Sequence, residues 1–479
     1  MFTRLATVLG VLGCTACGAA EPADSVAAET SASETSSSDT GSGWTAGPEE
    51  GETGEPPSLD EQLADLLAAQ EVPVEPLEPP PAQDPALVAL GEALFFDPIL
   101  SGNLDVACAS CHHPGFATGD GLSLSVGTGA LGVGPARAEG EHPPFVPRHA
   151  PALFNLGDPS FTRLFWDGRV ELDEQGILRT PAGAELLPSV DGPLAAQAMF
   201  PVLDRQEMRG EAGELRLDGE PNELALLDDD DPQAIWAALM ERLGAIPAYV
   251  ELFAAAYPEA SFAELSFADA ANAIAAYERE AFSFPSSPWD AYLAGDGAAI
   301  SDAVKLGAIL FYGSAGCANC HVGPLLTDHE FHVTGIPQLG PGKGASAPFD
   351  HGRELVTGDP DDRFAFRTPS LRNVAVSAPY MHDGAHVDVQ ALLVHYGAPA
   401  RGVETFDAEA LHPELVDTVQ TDPAHIAELV SRLSEELLLE PGFVGLSNLR
   451  EFLEALTDPA VVSLPQLRPD EVPSGLPVP

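Results

Sequence analysis

CASCH at residues 108–112 and CANCH at residues 317–321 decide how the rest of the chain is read. Each places two thiols about one helical turn apart and follows the second at once with a histidine. Covalent haem attachment needs this spacing, because both thiols must reach the vinyl groups along one edge of a porphyrin while the histidine swings beneath it to the iron. A structural zinc site would tolerate the histidine but has no need of it there. Six cysteines are present, and Cys14 and Cys17 fall in an export-like segment, so the other four form two complete motifs with none to spare. Disulfides, the first expectation for four cysteines in an exported chain, leave both histidines unexplained. The spacing predicts two covalently bound haems c, on Cys108 and Cys111 and on Cys317 and Cys320, with His112 and His321 as iron ligands.

Working outward, the motifs sit in an internal repeat. LGEALF (90–95) precedes the first and LGAILF (306–311) the second, each with leucine and phenylalanine at helical spacing. APALFN (150–155) and then WDG at Trp166 follow the first, and TPSLRN (368–373) and then HDG at His382 follow the second. Helical periodicity with usable N-caps recurs in DDPQAIWAALMERL (230–243), FADAANAIAAYERE (267–280), IAELVSRLSEELL (426–438) and NLREFLEALTD (448–458), while strand alternation is scarce. The expected fold is mainly α, with two tandem cytochrome c-like haem domains and long loops, over residues 84–286 and 287–464, and a Pro-rich tail at 465–479.

The chain of 479 residues is long enough for such domains, and 45% hydrophobic residues provide for real cores. A formal charge of −53 excludes general affinity for nucleic acid or anionic lipid, so partners should be basic or neutral. Residues 1–20 carry Arg4, a short apolar run and small residues, which read as an export signal and not as a membrane-spanning helix. VLGC and CTAC resemble the lipobox of bacterial lipoproteins, with Cys14 or Cys17 as the acylated residue; an ordinary cleaved signal is the alternative. No aspartate follows either cysteine, which points to the periplasmic side of an outer membrane. Residues 21–83, rich in Ala, Ser, Glu and Pro, are expected to form a disordered tether.

Beyond these readings the sequence resembles the bacterial di-haem cytochrome c peroxidase and MauG family. The resemblance is carried by LFFDPILSG before CASCH, RHAPALFN, LFWDGR, PLAAQAMFPVLDRQEM, CANCH, FRTPSLRNVAVSAPYMHDG and LLVHYG, from Leu90 to about residue 457. It implies that the haem on His112 meets hydrogen peroxide, with Gln197 and Glu207 over its distal face, and that the haem on His321 relays electrons. Glu207 then suits proton transfer to and from peroxide, Gln197 hydrogen bonding to it, and Trp166 electron transfer between the haems. Arg169 would pair with a haem propionate or with Asp167. The family's calcium ion would be held through the backbone carbonyls of Ser377 and Pro379, but His149 stands where an asparagine is expected, and imidazole suits calcium poorly.

Two further departures bear on activity. A loop that carries a haem-ligating histidine in many family members reads SVGTG here, with Thr128 in its place. The reactive haem is therefore expected to be high-spin and open, with His142 and His149 as rival ligands. The relay haem's sixth ligand is expected to be Tyr396, with Met381 and then His395 as alternatives; an anionic oxygen ligand lowers the potential relative to methionine. The leading expectation is a lipid-anchored peroxidase taking electrons from a small redox protein, a cytochrome c or a copper protein. The rivals are a MauG-like oxidase that modifies a partner protein and a non-catalytic electron carrier. Insertions at 176–192 and 209–231 are expected as solvated loops that could rim peroxide access or a partner surface.

Overall fold

The computed structural model describes residues 56–70, 72, 76–138, 144–437 and 445–479. The signal segment with Cys14 and Cys17, most of the tether and His142 lie outside the described residues. Helices and long loops dominate, as the periodicity predicts. Among the described residues, strand is confined to a small antiparallel sheet of Arg163–Leu164, Val170–Leu172 and Leu178–Arg179, and to the pair Phe331–His332 with Phe366–Arg367.

Two lobes repeat one construction. In the first, the helix Pro85–Phe96 starts at Asp84, whose side chain accepts from the Ala86 amide, with proline at the first helical position. It crosses the helix Phe267–Ala281 so closely that a Cβ on Gly91 would lie 1.9 Å from the Ala273 carbonyl oxygen. In the second, the helix Asp302–Tyr312, capped by Ser301, crosses Leu446–Glu454, and a Cβ on Gly307 would lie 2.0 Å from the Asn448 carbonyl oxygen. The same glycine of LGEALF and LGAILF thus lets two backbones touch in each lobe. Burial differs between the copies: Leu90 is fully buried, whereas Leu306 is 42% exposed.

The downstream repeats match residue by residue. Asn155 and Asn373 both take the left-handed conformation (φ 58° and 60°), which asparagine tolerates better than most residues. The Asn155 amide donates to the Phe282 carbonyl and its side-chain oxygen accepts from the Phe284 amide at 2.7 Å. Asn373 does the same with Leu456 and Asp458. Each asparagine therefore ties the turn after its haem motif to the chain leaving its lobe's last long helix.

The lobes are joined by buried polar contacts around Trp166. Arg148 donates to Asp167 at 2.5 Å and to Asp350 at 2.6 Å, with all three side chains buried. The Arg367 amide donates to the Trp166 carbonyl at 2.8 Å, and the His149 amide to the His382 carbonyl at 2.8 Å.

The expectation of a disordered tether over residues 21–83 fails in part. Within the stretch read as a disordered tether, Leu59–Ala69 is a helix with a capping box between Ser58 and Glu61. Leu63 and Leu67 are buried in the second lobe's core beside Trp289, Phe311 and Phe452, and Lys305 pairs with Asp60 at 2.8 Å. Averaged composition hid a leucine stripe at helical spacing. Farther on, Leu77 joins the first lobe's core, and so do Leu464 and Val472 near the other end of the chain. Ser474 donates to Asp97 at 2.6 Å, so residues 465–479 pack back onto the first lobe.

Candidate active site

Each CxxCH motif opens onto its own cavity. The first, with about 1300 Å³ of atom-free space including that open to solvent, is lined by Cys108, Cys111 and His112. The second, of about 1190 Å³, is lined by Cys317, Cys320 and His321. None of these four cysteines is in a disulfide. His112 Nδ1 lies 3.1 Å from the Thr118 carbonyl oxygen and His321 Nδ1 2.9 Å from that of Leu326. A carbonyl only accepts, so both Nδ1 atoms carry the proton and Nε2 keeps its lone pair, the tautomer of an iron ligand. The accepting residues share a further likeness, both having positive φ (63° and 53°). Burial pushes both imidazole pKa values down, which keeps the rings neutral. Roomy apolar cavities, paired thiols and an oriented imidazole fit a covalently held haem in each lobe.

The first cavity gathers Gln197, Glu207, Trp166, Arg169, Arg148 and His149 with His112. Gln197 comes from the helix Gly192–Ala198. Glu207 stands on a single π-helical turn, Arg205–Arg209, whose N-cap Asp204 accepts from the amides of Gln206 and Glu207; such turns recur at functional sites. The turn is held on two sides. A Cβ on Gly127 would lie 1.6 Å from the Gln206 carbonyl oxygen, so the SVGTG loop lies flat against it. Buried Arg209 donates to the Leu224 and Leu227 carbonyls and to Asp229 at 2.7 Å. The insertion at 209–231, expected as a solvated loop, is in this part a buried buttress, with Asn222, Leu224 and Ala225 all enclosed.

The Glu207 carboxyl has no hydrogen-bond or ion-pair partner among the described residues. Burial, then the neighbouring Asp204, pushes its pKa up to about 7 against the opposing pull of Lys343, Arg169 and Arg148. Lys343 also lines this cavity and reaches it from the second lobe. The sequence reading missed it; the available signal was its rarity, since the chain has only two lysines, and its place between glycines in PGKGAS.

Thr128 does not line the cavity; its amide and hydroxyl donate to the Gln206 and Arg205 carbonyls at 3.3 and 3.4 Å. His149 does line it, but its Nδ1 donates to the Leu122 carbonyl oxygen at 3.0 Å. Arg169 pairs with Asp167 at 3.2 Å and lies over the Phe165 ring. Trp166 lines both cavities and donates from its indole to the His149 carbonyl at 2.9 Å. It is a buried core aromatic placed between two haem-sized spaces.

Tyr396 and Met381 both line the second cavity. The Tyr396 phenol has no hydrogen-bond partner among the described residues, and burial pushes its pKa up. Met381 has a left-handed backbone (φ 77°) matched by Phe165 (φ 66°) in the first lobe. His395 does not line the cavity, because its Nε2 donates to the Thr334 carbonyl oxygen at 2.9 Å. The ligands implied for calcium are the backbone carbonyls of Ser377 and Pro379, with His149 in the place of an asparagine. Pro379 lines a separate recess with Leu122 and Ser123, the Ser377 hydroxyl donates to the Val374 carbonyl, and the His149 ring faces the first haem cavity.

A family model described as di-haem cytochrome c peroxidase matches residues 85–298. The methylamine utilization protein MauG of Methylorubrum extorquens is 31% identical over 385 residues, which cover 80% of this chain and 82% of that protein. The cytochrome c551 peroxidase of Pseudomonas aeruginosa is 32% identical over 295 residues, covering 62% and 67%. Among solved structures, a MauG-like protein associated with microbial copper homeostasis aligns over 82% of this chain and 96% of its own, with TM-score 0.55 and 26% identity. The diheme peroxidase BthA of Burkholderia thailandensis shares the fold at TM-score 0.51. With its two CxxCH cavities and these relatives, the chain belongs to the di-haem cytochrome c peroxidase and MauG family of haem c oxidoreductases.

Proposed function

We propose that the protein reduces hydrogen peroxide to water in the first lobe's cavity, with electrons that enter from a small redox protein through the second. The observation that carries this reading is an unpartnered, half-buried glutamate, Glu207, sharing one cavity with His112 and Gln197. Haem, when bound, supplies the electron-transfer chemistry that cleaves the O–O bond. Glu207 accepts a proton from peroxide and returns it to the oxygen that leaves as water, while Gln197 orients the substrate by hydrogen bonding. Two electrons and two protons complete the conversion of one peroxide to two waters. Trp166 provides the aromatic path between the haems, fixed in place by its bond to His149. Calcium has no part in this reading.

Thr128, tied to the distal turn, supports an open reactive haem, and Tyr396, with its free phenol, supports an oxygen-ligated relay haem. Both observations favour a second reading, a MauG-like oxidase acting on a partner protein. Steady-state peroxide consumption with reduced cytochrome c or a reduced copper protein separates the two: sustained turnover supports the peroxidase, and no turnover with either donor overturns it. The segment read as a lipoprotein signal lies outside the described residues; among those described, no helix is long and apolar enough to cross a membrane. We place the protein on the periplasmic side, anchored through an N-terminal lipid, which mass spectrometry of the mature N-terminus checks.

A further inference from the structure

Lys343 sits on a loop of the second lobe, yet its side chain lines the first lobe's cavity with Glu207, Gln197 and Arg169. The loop is fixed locally: the Lys343 amide donates to the Phe349 carbonyl at 2.9 Å, and its own carbonyl accepts from the Ser346 hydroxyl at 2.7 Å. The other lysine of the chain, Lys305, is ion-paired with Asp60. The Lys343 ammonium has no hydrogen-bond or ion-pair partner among the described residues.

The surrounding charges are unequal in their commitments. Arg148 is engaged by Asp167 and Asp350, and Arg169 by Asp167. Asp204 caps the π-helical turn through its side chain. Of the groups that act on one another's charge here, Lys343 and Glu207 are uncommitted. Glu278 also lines the cavity and keeps one carboxyl oxygen unpaired, but is not among the main charges acting on either. Burial, together with Arg169 and Arg148, lowers the lysine pKa, while Glu207 and Asp204 support its charge. A small molecule that donates a proton on one side and accepts a hydrogen bond on the other fits such a pair. Hydrogen peroxide has that character.

We propose that Lys343 is a further catalytic residue of the peroxide site, its ammonium placed to donate a hydrogen bond to the oxygen that becomes anionic as Glu207 takes the proton. The inference rests on the peroxide reading of this cavity. A charge-assisted hydrogen bond of this kind is worth more than a neutral one. A haem propionate is the other anion the ammonium would meet, and the two assignments predict different results.

The test is optical titration of the ferric holoprotein with fluoride, a small anion that reports hydrogen-bond donors over an open haem face. The expected result is affinity weakened about tenfold or more in Lys343→Met, the effect of one such bond, and largely restored in Lys343→Arg. The acid limb of the peroxide rate profile should also move to higher pH in Lys343→Met, because Glu207 loses a neighbouring cation. Unchanged fluoride affinity overturns the proposal, whether or not the haem potential moves; a potential shift alone assigns Lys343 to the propionate. A wild-type protein that binds no fluoride overturns it too, since the iron face is then closed. Failure of the peroxide reading is seen separately, as a Glu207→Gln variant that consumes peroxide at the wild-type rate.

Discussion

Glu207 is the residue on which the proposed chemistry turns, and its environment sets a pH dependence. Burial holds its proton up to about pH 7. Below that pH the carboxyl is protonated and cannot take a proton from peroxide, so the rate of reaction with peroxide should rise with pH and level off above about 7. Glu207→Gln removes the acceptor; peroxide consumption should fall about 10²- to 10⁴-fold, the usual worth of a positioned acid-base group, with haem content unchanged. Stopped-flow spectroscopy checks both. The other decisive residues are those that do not reach the iron. With Thr128 bonded to Arg205 and His149 to Leu122, the resting ferric protein should show a high-spin haem by electron paramagnetic resonance; a wholly low-spin spectrum would refute the open face. The proposed ligation of the second haem by Tyr396 predicts that the near-infrared methionine-to-iron band is absent and appears in Tyr396→Met, with a raised potential.

At the scale of elements, the two helix crossings are the least forgiving contacts. Gly91→Ala or Gly307→Ala would drive a methyl group to within about 2 Å of a facing carbonyl and should cost about 1–3 kcal/mol or more, the range for overpacked cores. Denaturant unfolding of the holoprotein measures it. Much of this scale was legible in the sequence: the haem motifs, the helical periodicity and the paired LG-x-x-LF segments follow from local spacing. Long-range partners were not. Nothing near Gly91 announces that Ala273 will press on it, and nothing near Lys343 announces a cavity built mainly by residues of the other lobe. The Leu59–Ala69 helix was lost for the opposite reason, because a polar, proline-rich average outweighed four leucines at the right intervals. In the second lobe, Tyr396 and Met381 both reach the cavity, so spacing and placement alike leave the phenol's lack of a partner as the argument between them.

For the whole molecule, 74 acidic against 21 basic residues make electrostatic steering of a basic donor a strong effect. The second-order rate with a basic cytochrome should fall steeply as ionic strength rises and the Debye length shortens. The lobes are also interleaved. The second lobe's core borrows Leu63 and Leu67 from before the first haem motif, and the first lobe's core borrows Leu464 and Val472 from after the last α-helix. The polypeptide is thus a dovetail joint, with segments from outside each lobe's repeat crossing the seam to close the other's core. Fragments cut at residue 286 would each lack a wall of their own interior. Neither should mature as an independent cytochrome, and a gene fusion that swaps one half for that of a distant relative should fail unless both ends of the chain travel with it.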